Sequence, residues 1–175
     1  PKGIILTGGP NSVYGEEAVL CDQEIFHLGV PVLGICYGSQ LMAQLLGGEV
    51  KTAPVSEYGK TEVQLGGSAL FQEIPEKSTV WMSHTDYIAK VPDGFQITGH
   101  TKNCPVAAME NAQAGLYAVQ FHPEVLHTVY GKQMLQHFVM DICSCKGDWR
   151  MDDFVATSIE DIRKKVGNGR ALCAL

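Results

Sequence analysis

Short apolar runs alternate with helical patterns in the first third of the chain. The runs GIILT (residues 3–7), which is followed by Gly8, and VPVLGI (30–35) are almost wholly apolar, which is typical of strands buried on both faces. Helical spacing follows each run, in EEAVLCDQEIFHLG (16–29) and SQLMAQLL (39–46). This strand-helix-strand-helix order predicts an α/β domain whose parallel strands are covered by helices.

The pattern changes after Glu49 to shorter strands, for which we expect mixed or antiparallel pairing. The predicted strands are EVKTA (49–53), KTEVQL (60–65), TVWMS (79–83), FQITGHT (95–101), VAAME (106–110) and LYAVQF (116–121). A last amphipathic helix is predicted over 129–143. Its apolar side chains are expected in the core, namely Val129, Met134, Leu135, Phe138, Val139 and Ile142.

The composition shifts after Cys145, which predicts a domain over 1–145 and a separate piece over 146–175. The stretch KGDWRMDDF is polar and turn-prone and is interpreted as a linker. Beyond it, Thr157 and Glu160 form a capping box for a helix over 158–167, and RALCAL (170–175) is interpreted as the start of a strand. Thirty residues cannot form a second core, so we expect the opening of another, truncated domain.

Composition and charge narrow the classes of function. The chain has 175 residues, 45% hydrophobic content and a formal net charge of −6, so we expect neither nucleic acid nor an anionic membrane as partner. A membrane span and a secretory signal are both lacking, which favours a cytoplasmic protein whose six cysteines are reduced. Cys143 and Cys145 form a C-x-C pair without a second Cys/His pair, so we predict small core residues and no metal site.

A cysteine flanked by glycines separates the second predicted strand from its helix. Gly34-Ile35-Cys36-Tyr37-Gly38 has the G-x-C-x-G form and the strand-turn-helix context of a nucleophile elbow. Glycine is needed on both sides because the chain reverses so tightly that a side chain would clash. We expect Cys36 in strained backbone space, with its sulfur held out above the strand end at the start of a helix.

Among six histidines, His122 is the best candidate for a base. It ends an alternating strand and has Glu124 two residues on, so both side chains project to one side and the carboxylate can fix the imidazole tautomer. Cys36, His122 and Glu124 then form a nucleophile, a base and an orienting group. His84 is interpreted as a structural or pocket-wall residue, and the C-G-[SA]-C-[WY] setting of papain is absent.

With these residues, LGICYGSQ (33–40) and QFHPEV (120–125), the chain resembles the triad-type, class I glutamine amidotransferases. The resemblance implies a flavodoxin-like, parallel or mixed sheet flanked by helices, here lacking its first strand and helix. It also implies an oxyanion hole from the backbone amides of Gly9 and Tyr37. The residues implied to hold glutamine are Gln40 and Asp86, with Ser83 as a weaker candidate.

Within this family, the chain is similar to amidotransferase domains that are joined to an ATP-pyrophosphatase synthetase, which aminates a purine nucleotide. The segments that carry this similarity are IILTGGPNSVYGEEA, MSHTDYI and HPEVLHTVYG. This similarity implies ATP and magnesium in the synthetase part, no cofactor in this domain, and allows a homodimer of the full-length enzyme. The alternatives are a glutaminase subunit of another amidotransferase, a non-catalytic glutamine-sensing module, and a hydrolase or thiol acyltransferase of the same fold.

Overall fold

The computed structural model describes residues 1–148 and 150–172, and these residues separate into two compact units, Pro1–Cys145 and Lys146–Leu175. Trp149 and residues 173–175 lie outside the described residues, as does Cys173 with its predicted thiol state. No helix in the described ranges is long and apolar enough to cross a membrane. The five described cysteines form no disulfide.

The first unit is built on one seven-stranded sheet in the order β1-β2-β7-β6-β5-β3-β4. β1, β2 and β7 run parallel, and the remaining pairs are antiparallel. This mixed sheet with flanking helices confirms the predicted fold class. The strands are β1 Ile4–Leu6, β2 Val32–Ile35, β3 Glu49–Leu65, β4 Lys77–Lys90, β5 Gln96–His100, β6 Ala108–Asn111 and β7 Leu116–Val119.

Helices pack on both faces of this sheet. They are α1 Tyr37–Leu45, α2 Gly131–Gln136 with a π-helical continuation His137–Ile142, and the short 3₁₀ helices Gln23–His27 and Ala69–Phe71. β7 shows why the strands are apolar throughout, because its alternate side chains enter two different clusters. Leu116 and Ala118 pack with α1, whereas Tyr117 and Val119 pack with Phe138 of the π-helical turn.

β3 and β4 form a long antiparallel arm that the sequence pattern underestimated. The predicted strands 49–53 and 60–65 are one strand, β3, and β4 extends well beyond the predicted 79–83. The pairing shifts between Thr52 and Glu57, where β3 carries a bulge. Glycine and proline within the predicted gap interrupt the apolar pattern without ending the strand.

Two helix predictions for this unit need correction. The helix predicted over 16–29 is wrong, because only Gln23–His27 forms a 3₁₀ helix, capped by the Asp22 carboxylate. Val19 and Leu20 are 68% and 58% exposed, so burial of apolar side chains in this part of the segment does not stabilise a longer helix. The helix predicted from Val129 begins at Gly131, and Val129 is exposed instead of lying in the core.

The described residues of the second unit contain one helix, α3 Met151–Val166. It begins seven residues before the predicted start at Ser158, so Thr157 and Glu160 lie inside it and form no capping box. Its end follows the predicted pattern: Gly167 takes φ 52° and its amide donates to the Arg163 carbonyl. Within the predicted strand over 170–175, residues 170–172 form no strand, and the rest lies outside the described residues.

Candidate active site

Cys36 occupies a strained turn between β2 and α1. Its φ and ψ are 53° and −108°, a region that non-glycine residues seldom adopt. A Cβ on Gly34 would lie 2.6 Å from the Gly38 carbonyl oxygen, and one on Gly38 would lie 2.2 Å from the Leu6 carbonyl oxygen. The two flanking glycines are therefore required by close backbone contacts, as the elbow motif predicted.

The ends of all three parallel strands meet at this turn. Gly8 follows β1, Cys36 follows β2, and His122 follows β7. A Cβ built on Gly8 would lie 3.4 Å from His122 Cε1 and 3.8 Å from Cys36 Cβ, so both side chains pack over this glycine. The structure thus brings the predicted nucleophile and base together.

The Cys36 sulfur is less accessible than the sequence suggested. Cys36 is 8% exposed and packs in the core cluster, so its thiol is not held out at the surface. The thiol lies 3.7 Å from the Ser83 carbonyl oxygen, to which it donates. The strand β4, which carries Ser83, therefore packs against the sulfur.

His122 is oriented by its neighbours on both its ring and its backbone. Its Nδ1 lies 2.7 Å from Glu124 Oε1, as the i, i+2 spacing predicted. The Thr128 hydroxyl donates to the His122 carbonyl at 2.6 Å, and the His122 amide donates to the Trp81 carbonyl. Hydrogen bonding to Cys36 raises the pKa of His122 to about 9, with burial opposing and Glu124 adding to the rise.

A cavity of about 480 Å³ opens beside Cys36. It gathers every residue that the resemblance assigned to the oxyanion hole or to glutamine, whereas His122 and Glu124 are not among its lining residues. The lining residues are Gly9, Pro10, Asn11, Ser12, Cys36, Tyr37, Gln40, Thr52, Tyr58, Ser83, His84, Thr85 and Asp86.

Hydrogen bonding leaves acceptor atoms at the Gln40 and Asp86 end of this cavity. Gln40 Nε2 donates to the Asp86 carbonyl at 2.9 Å and to Gln120 Oε1 at 3.0 Å, so the Gln40 oxygen is left as an acceptor. The Asp86 carboxylate accepts from the hydroxyls of Ser12, Tyr14 and Thr52. A carboxylate and an amide oxygen suit a bound ammonium group better than an anion.

Gln120 is a site residue that sequence reasoning missed. It is 1% exposed, and its Nε2 donates to Cys36 Sγ at 3.7 Å while its Oε1 accepts from Gln40. The available signal was its position in the predicted strand 116–121, two residues before His122, because alternate residues of a strand share a face.

A buried polar cluster lies behind the cavity wall. Glu57, His84 and Cys104 bring donor atoms within 4.8 Å of one another, a set that suits zinc by atom type. All three groups are already engaged: Thr101 donates to the Glu57 carboxylate, the Cys104 thiol donates to the Val106 carbonyl, and His84 Nδ1 lies 2.9 Å from the Asp86 carbonyl oxygen. Burial also raises the pKa of the Cys104 thiol to about 12. We therefore describe the cluster as a hydrogen-bonded network, and His84 within it is both buried and part of the cavity wall.

Comparison with known proteins identifies what this arrangement is similar to. The family model for class-I glutamine amidotransferases matches residues 1–142. A glutamine-hydrolysing GMP synthase of Clostridium botulinum is 63% identical over the whole chain, and one of Lachnospira eligens is 58% identical. The chain spans about a third, 34%, of the length of these relatives.

Solved structures agree with the sequence relatives. A protein of Thermoplasma acidophilum whose name assigns it to GMP synthase superposes with a TM-score of 0.71 at 30% identity, covering 93% of this chain and 76% of that one. A glutamine amidotransferase of Thermotoga maritima superposes with a TM-score of 0.64 at 22% identity, covering 94% and 72%. The latter likeness concerns the fold.

Proposed function

Because this chain belongs to the class I glutamine amidotransferases, we propose that it hydrolyses glutamine through a thioester on Cys36 and supplies the ammonia to a GMP synthase. The observation that carries this proposal is the placement of Cys36 between two groups of residues. His122, with Glu124 bonded to its ring, lies next to Cys36, and Cys36 also lines a cavity of which neither residue is a lining residue.

The first half-reaction forms the thioester. The Cys36 thiol passes its proton to His122, and the resulting thiolate attacks the side-chain amide carbon of glutamine while the bond between that carbon and nitrogen breaks. Since the raised pKa of His122 keeps its imidazole protonated at neutral pH, His122 can give the proton that the departing nitrogen needs to leave as ammonia. Glu124 stabilises the imidazolium before transfer.

The second half-reaction releases glutamate. His122, now neutral, takes a proton from water, and the resulting hydroxide attacks the thioester carbon. The bond between that carbon and sulfur breaks, which returns the Cys36 thiolate and the protonated His122. In both halves the backbone amides of Gly9 and Tyr37 would bind the oxyanion, since both residues line the cavity beside Cys36.

Glutamine would bind with its side-chain amide at Cys36 and its amino-acid head group at the far wall. The Asp86 carboxylate and the Gln40 oxygen would serve as acceptors for the α-ammonium group, since both residues line the cavity. Ser83 lies on the same strand as Asp86 and completes the predicted binding set.

The whole enzyme would be a ligase in which a synthetase part uses the ammonia to aminate XMP to GMP with ATP and magnesium. The support is the high identity to GMP synthases that are about three times as long as this chain. Glutamine and that synthetase part are the proposed partners. A homodimer of the full-length enzyme and a cytoplasmic location stay predictions.

Labelling with a glutamine-like diazoketone tests this function. The reagent should add once to the protein at Cys36, and intact mass followed by peptide mapping measures the addition. A Cys36→Ser variant is the matched control, because it keeps the shape of the site but lacks the thiol. A folded wild-type protein that stays unlabelled would exclude the amidotransferase, whereas labelling without glutamine turnover would favour the glutamine-sensing module.

A further inference from the structure

The buried face of β4 changes from apolar to polar beside the cavity. Alternate residues of this strand point inward, and the series runs Val80, Met82, His84, Asp86, Ile88. His84 is 4% exposed and Asp86 is 8% exposed. Buried polar side chains in a strand are costly unless they are paired, so their partners indicate what they do.

The partner of His84 is Glu57, which the bulge of β3 directs inward. Thr52 pairs with Asp86 and Glu57 pairs with His84, so residues 53–56 of β3 stand opposite Thr85 alone. Bulges of this kind redirect side chains next to functional sites. Glu57 Oε2 lies 3.4 Å from His84 Nε2, and the two side chains are 5% and 1% exposed.

The Glu57 carboxylate accepts a hydrogen bond from the Thr101 hydroxyl. The Thr101 oxygen accepts from the amides of Asn103 at 3.2 Å and Cys104 at 2.9 Å. Its own hydrogen is therefore directed at the Glu57 oxygens, which lie 2.8 Å and 2.9 Å away. The loop 101–104 thus holds one side of the carboxylate.

The contacts of His84 then require a proton between its Nε2 and the Glu57 carboxyl group. Its Nδ1 lies 2.9 Å from the Asp86 carbonyl oxygen, and because a carbonyl can only accept, Nδ1 must carry a hydrogen. A neutral ring would then present the lone pair of Nε2 to the Glu57 carboxylate, which is repulsive. A proton between Nε2 and Oε2 converts this contact into an ion pair.

We propose that Glu57 and His84 hold this proton as a charged pair and are positioning residues for the glutamine-binding segment Ser83–Asp86. The Asp86 carbonyl accepts from His84 Nδ1 and from Gln40 Nε2, so one carbonyl joins the pair to both residues of the proposed head-group site. The kinetic part of this inference rests on the proposed glutamine hydrolysis, whereas the charge state of the pair does not.

The charge state is tested by ¹⁵N NMR of the histidine rings in the full 175-residue chain. At about pH 7, both ring nitrogens of His84 should carry protons, and the His84→Gln variant identifies the signal by its loss. In Glu57→Gln, the new amide can donate to Nε2, so His84 should become neutral with its proton on Nδ1. An unprotonated ring nitrogen on His84 in the wild type would overturn the proposal.

The positioning role is tested by the kinetics of Glu57→Ala and Glu57→Gln. The alanine variant should raise KM for glutamine about 10-fold or more and leave kcat within about 3-fold, because the head-group site loosens while the triad stays in place. The glutamine variant should restore KM to within about 3-fold of wild type, because it keeps the hydrogen bonds. Alkylation of Cys36 by iodoacetamide should change little in either variant.

Each outcome decides one claim. An unchanged KM in folded Glu57→Ala would refute the positioning role, and a KM in Glu57→Gln as poor as in the alanine variant would show that charge, not hydrogen bonding, positions the segment. If the wild type hydrolysed no glutamine, the proposed function would fail, while the NMR result would still decide the charged pair. Circular dichroism of both variants separates misfolding from mispositioning.

Discussion

The raised pKa of His122 leads to a prediction about the coupling between base and nucleophile. Hydrogen bonding to Cys36 is the largest cause of the rise to about 9, ahead of the contribution from Glu124, while burial acts in the opposite direction. Cys36→Ala should therefore move the pKa of His122 from about 9 back towards its ordinary 6.5. Glu124→Gln should move it in the same direction by less.

An NMR titration of the His122 ring measures this coupling. The signal is assigned by its loss in His122→Gln, and its pKa is read in the wild type, Cys36→Ala and Glu124→Gln. A larger fall of the pKa in Glu124→Gln than in Cys36→Ala would reverse the order of the two contributions. A pKa that stays unchanged in Cys36→Ala would refute the close contact of Cys36 and His122. Such a result would also remove the basis for the proposed chemistry.

The same shift has a consequence for stability, and its sign follows from linkage. Because the pKa of His122 is higher in the folded protein than its ordinary 6.5, the protonated ring stabilises the fold fully below about pH 6.5, and this contribution is lost as the pH rises through about 9. The difference between these two pKa values corresponds to about 3 kcal/mol in the free energy of unfolding. Screening at the partly exposed ring reduces this to the order of 2 kcal/mol.

Urea unfolding of the wild type and His122→Gln at about pH 6 and about pH 9.5 measures that contribution. The difference between the two proteins in free energy of unfolding should fall by the order of 2 kcal/mol between these conditions. A difference that is constant with pH, or that grows, would contradict the assigned shift.

Three further predictions concern the turn and the triad. Gly38→Ala should lower the free energy of unfolding by about 2 to 3 kcal/mol, because its Cβ overlaps the β1 backbone. Gly15→Ala is the control, because nothing lies within 4 Å of its Cβ, and it should change the free energy of unfolding by less than about 0.5 kcal/mol. Equal losses of the two variants in urea unfolding would contradict the packing of the turn. Glu124→Gln should retain more kcat for glutamine than His122→Ala, because an orienting group transfers no proton, and the reverse order would identify another base. Cys36→Ser should abolish glutamine hydrolysis, as measured by glutamate release, and any retained turnover would exclude the thioester.

The parts of the fold that sequence predicted well are those in which burial and local pattern agree. β2 and β7 are apolar at nearly every position because each is covered on both faces, and their limits were predicted to within two residues. The segment 16–29 shows the opposite case. Its second half packs through Phe26 on the core and forms the 3₁₀ helix, but Val19 and Leu20 in its first half stay exposed, so no longer helix is stabilised.

The candidate site divides in a similar way. Cys36, His122 and Glu124 were recognisable because each sits in a short motif whose geometry is local, a turn for the first and an i, i+2 pair for the others. Gln120 and Glu57 were missed because their roles depend on contacts across the sheet. The inward direction of Glu57 arises from a bulge whose register no local pattern reveals.

The two walls of the cavity are built by different parts of the sheet. The ends of the parallel strands carry Cys36, whose position is fixed by backbone contacts that tolerate only glycine at the turn. The antiparallel arm carries Asp86, whose position is fixed by buried side-chain hydrogen bonds to His84 and Gln40. Substitutions in the turn should therefore affect stability and chemistry together, whereas substitutions behind the arm should act on glutamine affinity. The arm contacts the Cys36 sulfur through a backbone carbonyl, that of Ser83 at 3.7 Å, and a change of side chain leaves this carbonyl in place. Side chains of the arm can therefore be substituted without disturbing the nucleophile.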